Sequence, residues 1–354
     1  MARKLITLFT AMLHNEDSLK NFESILWEAK NRGYNVLTTY IGSGVSDGNG
    51  INDVSFYVQN IEKSNAVIID GFKIINRGLI SSITRYAEKK GVPVVLINDY
   101  QEDCHCLYYS VEKSFYEILN HLITTHGCRK IDLMLGYEHM WNSDELLSIY
   151  TGCMENSGLS YNRSRVVYGG YWSDKAKIAI EKLLEFDTPE AVVCANDAMA
   201  IETCRVLKSK GIRVPEDVIV TGIDGSVRSE FHAPSLTTIK KDASVMASRV
   251  FEDIETIIAG EKTERYIPIE CSIDFASSCG CGNRDCKNIT TELNKMYDQQ
   301  ERRISIEPKL FDMSRRLMEV SALKDISYAV QNDMPSDSFI CVRESFMQDV
   351  FKPR

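Results

Sequence analysis

The sequence predicts an α/β protein of two lobes, each a doubly wound parallel sheet, with helices following at the C-terminal end. Three observations predict it. Short apolar runs alternate with amphipathic stretches through the first 240 residues, as right-handed strand–helix–strand crossovers require. The strands, seven or more, come in two successive series rather than one. And a chain of 354 residues exceeds one typical hydrophobic core.

The elements follow in order. Residues 4–9 (KLITLF) read as a buried strand. Over 18–32, Leu19, Phe22, Ile25, Leu26 and Ala29 recur at helical spacing, and Gly33 supplies the stop. Strand 36–40, a helix around 52–63, strand 66–70, helix 76–90 and strand 92–97 complete the first series. The second comprises helix 112–126, strand 130–135, helix 143–157, strand 165–168, helix 173–186, strand 191–195, helix 197–210 and strand 217–223. In such sheets ligands bind at the carboxyl ends of the strands, so the space between two lobes is the default site.

Composition narrows the function classes. The apolar fraction of 44% and charged fraction of 26% are those of a soluble globular protein. A net charge of −9 disfavours a nucleic-acid partner, which needs a basic face. No run of about 18 apolar residues is present to span a membrane. The opening MARKLITLFTAML imitates a secretory signal but lacks a small-x-small cleavage site, and reads as the first strand. Eleven scattered cysteines fit free thiols in a reducing, cytoplasmic compartment better than a disulfide framework.

Enzyme signatures are missing: neither G-x-x-x-x-G-K-[ST] nor H-E-x-x-H occurs. The glycines of GSGVSDGNG (42–50) are spaced wrongly for a dinucleotide fingerprint and read as a connecting loop. Cys104, His105 and Cys106 are adjacent, so their side chains diverge and cannot all chelate one ion. No cofactor is expected.

The informative string is ANDAMA (195–200), followed by GIRVPEDVIVTGIDG (211–225) and PSLTTI (234–239). Asn196 or Asp197 caps a helix, Gly211 ends it, and Asp224 terminates the next strand. Read as structure alone, Asn196 and Asp197 satisfy orphan helix N–H groups and Asp224-Gly225 is a turn. Read as function, these polar groups stand at carboxyl ends of adjacent strands, where a ligand would lie.

That string resembles the effector-binding core of the LacI/GalR family of ligand-responsive regulators, itself similar to periplasmic sugar-binding proteins. The resemblance extends to GVPVVLIND (91–99), HLITTHGCRKIDLMLG (121–136) and GGYWSD (169–174). It implies a type I periplasmic-binding-protein-like fold, with ligand clamped between two lobes joined by three crossovers, and no catalysis. Lobe 1 would hold residues 3–108 and 240–266, and lobe 2 residues 109–239 and 267–275. By position, Asn196 and Asp224 look like groups that hydrogen-bond ligand hydroxyls or ring nitrogens. Trp172 resembles the aromatic platform beneath the ligand, against the alternative of a core tryptophan. Lys241 falls where many relatives carry glutamine, and Asp17 and Ser18 fall where the first helix meets the cleft.

There are departures. Ile149 stands where the family presents an arginine, so a conventional sugar is in question. Asp17-Ser18 is polar where the family is often aromatic. The family's DNA-binding members begin with a helix-turn-helix, whereas this chain begins at the core's first strand. Instead, 276–288 forms a cysteine-rich exit loop, 289–305 a linker helix with a weak coiled-coil seam, and 306–354 the start of a GAF-like or helical module. That order resembles the sensory half of signalling proteins ending in a diguanylate cyclase or histidine kinase, the chain being the front portion of a longer protein. The expectation is a non-catalytic, dimeric cytoplasmic sensor of a small polar molecule. The rivals are a secreted transport-type solute-binding protein and a doubly wound enzyme. Cys271, Cys279, Cys281 and Cys286 could surround zinc, but C-x-C-x₄-C departs from the usual knuckle pairs. The sequence therefore assigns no metal and reads this stretch as a joint.

Overall fold

The computed structural model describes residues 4–10, 16–41, 58, 61–71, 74, 77–102, 104–160 and 162–282; of residues 16–18 and 40 it describes the backbone only. The loop predicted over 42–50, Cys286, the linker helix over 289–305 and the module from 306 lie outside the described residues. Residues Met1–Cys286 form one compact unit.

Within it stand two six-stranded sheets. The first contains β1 (Lys4–Thr10), β2 (Tyr34–Tyr40), β3 (Ala66–Asp70), β4 (Val94–Ile97), β5 (His105–Ser110) and β11 (Tyr266–Glu270). Its order is β11-β5-β4-β3-β1-β2, every pair parallel. The second contains β6 (Ile131–Leu135), β7 (Val166–Tyr168), β8 (Ala191–Cys194), β9 (Ile219–Asp224), β10 (Thr237–Lys240) and β12 (Ser272–Asp274). Its order is β12-β10-β9-β8-β6-β7, parallel except where β12 runs against β10. Without the late strands β11 and β12 the two orders are one pattern, so the lobes repeat a single doubly wound topology. This is the type I periplasmic-binding-protein-like fold that the sequence predicts.

Both faces of the first sheet are covered, and the strands alternate between them. From β3, Val67 and Ile69 join Leu79, Ile80 and Ile83 of helix α2 (Arg77–Lys89). Ala66 and Ile68 join the opposite cluster, with Ile25 of α1 (Glu16–Asn31) and Val250, Phe251 and Ile254 of a late helix over Ala243–Ile258. Cys104 and Cys106 belong to the α2 face, while His105 turns the other way and meets Asp253 of the late helix. His105 thus points away from the two cysteines, which share one face.

In the second lobe a continuous core gathers α3 (Glu112–Thr124), α4 (Trp141–Asn156), α5 (Ser173–Leu184) and α6 (Asp197–Ser209) around its sheet. Tyr150 is buried there and its hydroxyl donates to the Ile131 carbonyl at 2.8 Å. A short helix α7 (Val227–Phe231) follows β9, and the late helix is α8. Asp242 caps α8, accepting from the Ser244 N–H at 2.9 Å.

The chain crosses between lobes three times: from β5 to α3, from β10 back to α8, and from β11 to β12. One boundary differs from the sequence reading. Residues 267–270 belong to the first lobe, because Ile267 and Ile269 bury against its α8-side cluster while Pro268 and Glu270 are exposed. Pro268, which has no N–H to give, is tolerated because β11 is an edge strand. The last crossing therefore falls at Cys271.

Candidate functional site

The candidate site is built where the crossovers meet the carboxyl ends of the second sheet. Asp224 ends β9 with φ at +131°, a backbone state rare outside glycine and one that clusters at functional positions. Its Oδ1 accepts from Lys241 Nζ at 2.8 Å, and its backbone oxygen accepts from the Lys241 N–H at 3.2 Å. Lys241 Nζ also stands 6.0 Å above the ring of Tyr109 on β5. The Tyr109 hydroxyl donates to Asn21 Oδ1 on α1 at 3.1 Å. Next to Asn21 in the same helix, Lys20 Nζ donates to the Gly225 carbonyl at 3.0 Å. A run of polar contacts thus passes from α1 of the first lobe to β9 of the second. Half-buried Cys271 lies beside it, where burial pushes its thiol up to about 11 and Lys241 opposes the shift.

Tyr171 adds the aromatic wall. It holds φ +64° beside Gly170, and its ring packs against Gly136, where a Cβ would come within 2.0 Å of ring atoms. Only glycine at 136 leaves room for it. The Tyr171 hydroxyl lies by Ser143 and Asn142 at the start of α4; burial raises its pKa, with Lys241 lowering and Asp224 raising it. Tyr137 meets Tyr171 edge-on with ring centroids 6.0 Å apart.

The predicted residues divide. Asn196 caps α6, its Oδ1 accepting from the Met199 N–H at 2.9 Å, and its Nδ2 donates to the Tyr171 carbonyl at 3.3 Å. Asp197 is 1% exposed, and its two oxygens accept from the Ser226 N–H at 2.7 Å and the Thr238 hydroxyl at 2.6 Å. It fastens α6 to β10 and to the turn after β9, rather than facing a ligand. Gly222 makes that possible: a Cβ there would sit 2.3 Å from Asp197 Oδ1. Trp172 is 49% exposed, so it is not a core tryptophan, and its Nε1–H donates to the Tyr137 hydroxyl at 3.1 Å. Ile149 packs on the second-lobe core, an apolar contact where the resemblance has a cation. Asp17 and Ser18 lie in the first turn of α1, but their side chains are outside the described residues.

On the first lobe, Asn98 (φ +58°) follows β4 and donates from Nδ2 to Asp70 Oδ1 at the end of β3, at 3.0 Å. Next to it Asp99 is fully buried against Arg77. Burial raises its carboxyl despite that guanidinium.

Sequence reasoning missed Lys20, Asn21, Tyr109 and Tyr171. A signal for the first two was available: they stand one helical turn beyond Asp17 and therefore on its face. Tyr109 was hidden because β5 was not recognised as a strand. Of the four cysteines singled out, Cys271 stands at the crossover. Cys279 and Cys281 instead lie together with His121 and His126, all four donor atoms within 4.8 Å of one another. The described cysteines are free thiols, most of them buried.

Residues 119–272 match the family model of the periplasmic binding protein-like domain. The HTH-type transcriptional repressor PurR of Vibrio cholerae is 27% identical over 203 residues, which are 56% of this chain and 60% of that protein. The chain thus spans about three-fifths of that relative's length. Among solved structures, a CelR–cellobiose complex superposes with a TM-score of 0.63 at 22% identity, covering 78% of this chain and 85% of CelR. A lac repressor dimer bound to operator and an anti-inducer superposes with a TM-score of 0.65 at 18% identity, covering 78% of this chain and 94% of its own. The described residues contain no helix long and apolar enough to cross a membrane.

Proposed function

We propose that this chain carries the effector-binding domain of a ligand-responsive regulator, non-catalytic in itself, which binds a small polar molecule between its two lobes. The observation that carries the reading is the run of contacts from Asn21 through Tyr109 and Lys241 to Asp224, which joins both lobes at the strand ends. A ligand that replaces or bridges these contacts changes how the lobes are held. It shifts the equilibrium only as far as it prefers one arrangement. Asp224, Lys241, Asn142 and the Tyr171 wall suit a hydroxyl- and ring-bearing molecule, sugar- or nucleoside-like. CelR, solved with cellobiose, supports the sugar side of that class. Ile149 argues against a carboxylate held by an arginine fork.

The relatives named above are transcription regulators, which favours regulation of transcription over the cyclase or kinase output that the order of segments suggested. A homodimer is carried over from the lac repressor; direct operator contact by this chain is not, since its net charge is −9. Residues 276–288 would then be the joint to whatever reads the lobes out.

A thermal-shift screen of sugars, nucleosides and amino acids tests the reading, with wild type beside Asp224→Ala. At least one compound should stabilise the wild type and lose its effect in the variant. An equal response in both proteins, or none in the wild type, overturns the site.

A further inference from the structure

The joint contains a cluster that the effector site does not use. His121 lies in the last turn of α3, His126 in the loop before β6, Cys279 in a 3₁₀ turn (Ser277–Cys279) and Cys281 just beyond it. The Cys281 Sγ stands 3.4 Å from His121 Nε2 and 3.2 Å from His126 Nε2, and the two Nε2 atoms are 3.1 Å apart. With Cys279 Sγ, all four donor atoms fall within 4.8 Å of one another. Around a tetrahedral zinc ion, with sulfur at about 2.3 Å and nitrogen at about 2.0–2.1 Å, such donors are about 3.3–3.8 Å apart. We propose that His121, His126, Cys279 and Cys281 form a structural zinc site that pins the exit loop to the second lobe.

Chemistry and surroundings both favour it. Two thiolates and two imidazoles are a donor set that suits zinc, and four protein ligands leave no open position for substrate. The Thr237 hydroxyl donates to Cys279 Sγ at 3.0 Å, the kind of outer bond that supports a bound thiolate. The His121 ring packs on Phe275 with centroids 4.5 Å apart and meets the His126 ring edge-on at 4.8 Å, so both ligand orientations are constrained.

The backbone between the cysteines is fixed as well. The Ser278 hydroxyl donates to the Val220 carbonyl at 2.6 Å and accepts from the Thr237 N–H at 2.8 Å. Gly280 turns with φ +83°, and a Cβ on Gly282 would lie 2.4 Å from the Phe275 carbonyl oxygen. The "SCGCG" string is therefore shaped to bring two sulfurs back onto α3. For this stretch the sequence reading considered only Cys271, Cys279, Cys281 and Cys286 as ligands and assigned no zinc; the pair it lacked is the H-x₄-H of "HLITTH", some 155 residues earlier.

The test uses the full chain, purified reduced from zinc-replete culture, without any effector, so its outcome is separate from that of the effector site. Elemental analysis should give about one zinc per chain. Cobalt in its place should produce thiolate-to-cobalt charge-transfer bands and tetrahedral d–d bands. Cys281→Ser and His126→Ala, both outside the buried core, should each remove most of the metal while far-ultraviolet circular dichroism stays that of the wild type. The site is refuted if reduced wild type holds only trace zinc and gives no charge-transfer band with cobalt. It is equally refuted if the folded C281S/H126A double variant retains the wild-type zinc content.

Discussion

Lys241 and Asp224 join the end of β10 to the end of β9 twice, Nζ to Oδ1 at 2.8 Å and backbone N–H to backbone carbonyl at 3.2 Å. The pair is half-buried, and it carries a backbone angle at Asp224 that an ordinary residue avoids. Such a pair offers a ligand an acceptor and a donor whose positions are already set. Asp224→Asn keeps the size and removes the charge. Affinity for whichever compound the screen identifies should fall about 10- to 100-fold, the worth of one hydrogen bond to a charged group. Isothermal titration of wild type against D224N measures this, and unchanged affinity would place the ligand elsewhere.

Asp197 should matter for stability rather than affinity. Its carboxylate holds the Ser226 N–H and the Thr238 hydroxyl inside the second lobe. Asp197→Ala strands both donors and should lower unfolding stability by about 2–4 kcal/mol. Urea denaturation of D197A provides the number; a loss below about 1 kcal/mol would mean that other partners satisfy those donors.

Asp132 on β6 gives a pH signature. It is fully buried, and Oδ1 accepts from Arg165 at 2.6 Å while Oδ2 has no hydrogen-bond partner among the described residues. Burial outweighs the Arg165 guanidinium and pushes the carboxyl up to about 6. The folded chain therefore holds this proton more tightly than the unfolded one, whose carboxyl titrates near about 3.9. Stability from this group is complete below about pH 4 and is lost as pH rises through about 6, in all about 2–3 kcal/mol. Urea midpoints taken between pH 4 and 7 should slope downward more steeply in wild type than in Asp132→Asn; parallel slopes would contradict the assignment.

Much of the fold was legible because strands buried on both faces leave apolar runs that local pattern can find; β3 falls on the residues where the run AVIID predicts it. The late elements were harder. Strand β10 is four residues long, and β5 hides in a string of cysteine and histidine that looks like chemistry. In the site, strand-end position together with the family resemblance pointed to Asp224. What no local pattern encodes is who stands opposite: Lys241 is 17 residues away, Asn21 is 88 residues from Tyr109, and His126 is 155 from Cys281. Asn196 and Asp197 show the opposite limit, since a helix cap and a ligand-binding group have the same residue types at the same place. Only the hydrogen-bond partners separate them.

The return of residues 266–270 to the edge of the first sheet also governs the order in which the protein can finish folding during synthesis. Domains usually mature from the N-terminus as the ribosome delivers them. Here β6 to β10 have all been made before α8 and β11 exist, so the second lobe can assemble its parallel strands while the first still lacks its sixth strand and part of one helical layer. The lobe that begins the chain is therefore closed only when β11 emerges, immediately before the second lobe receives its own last strand, β12.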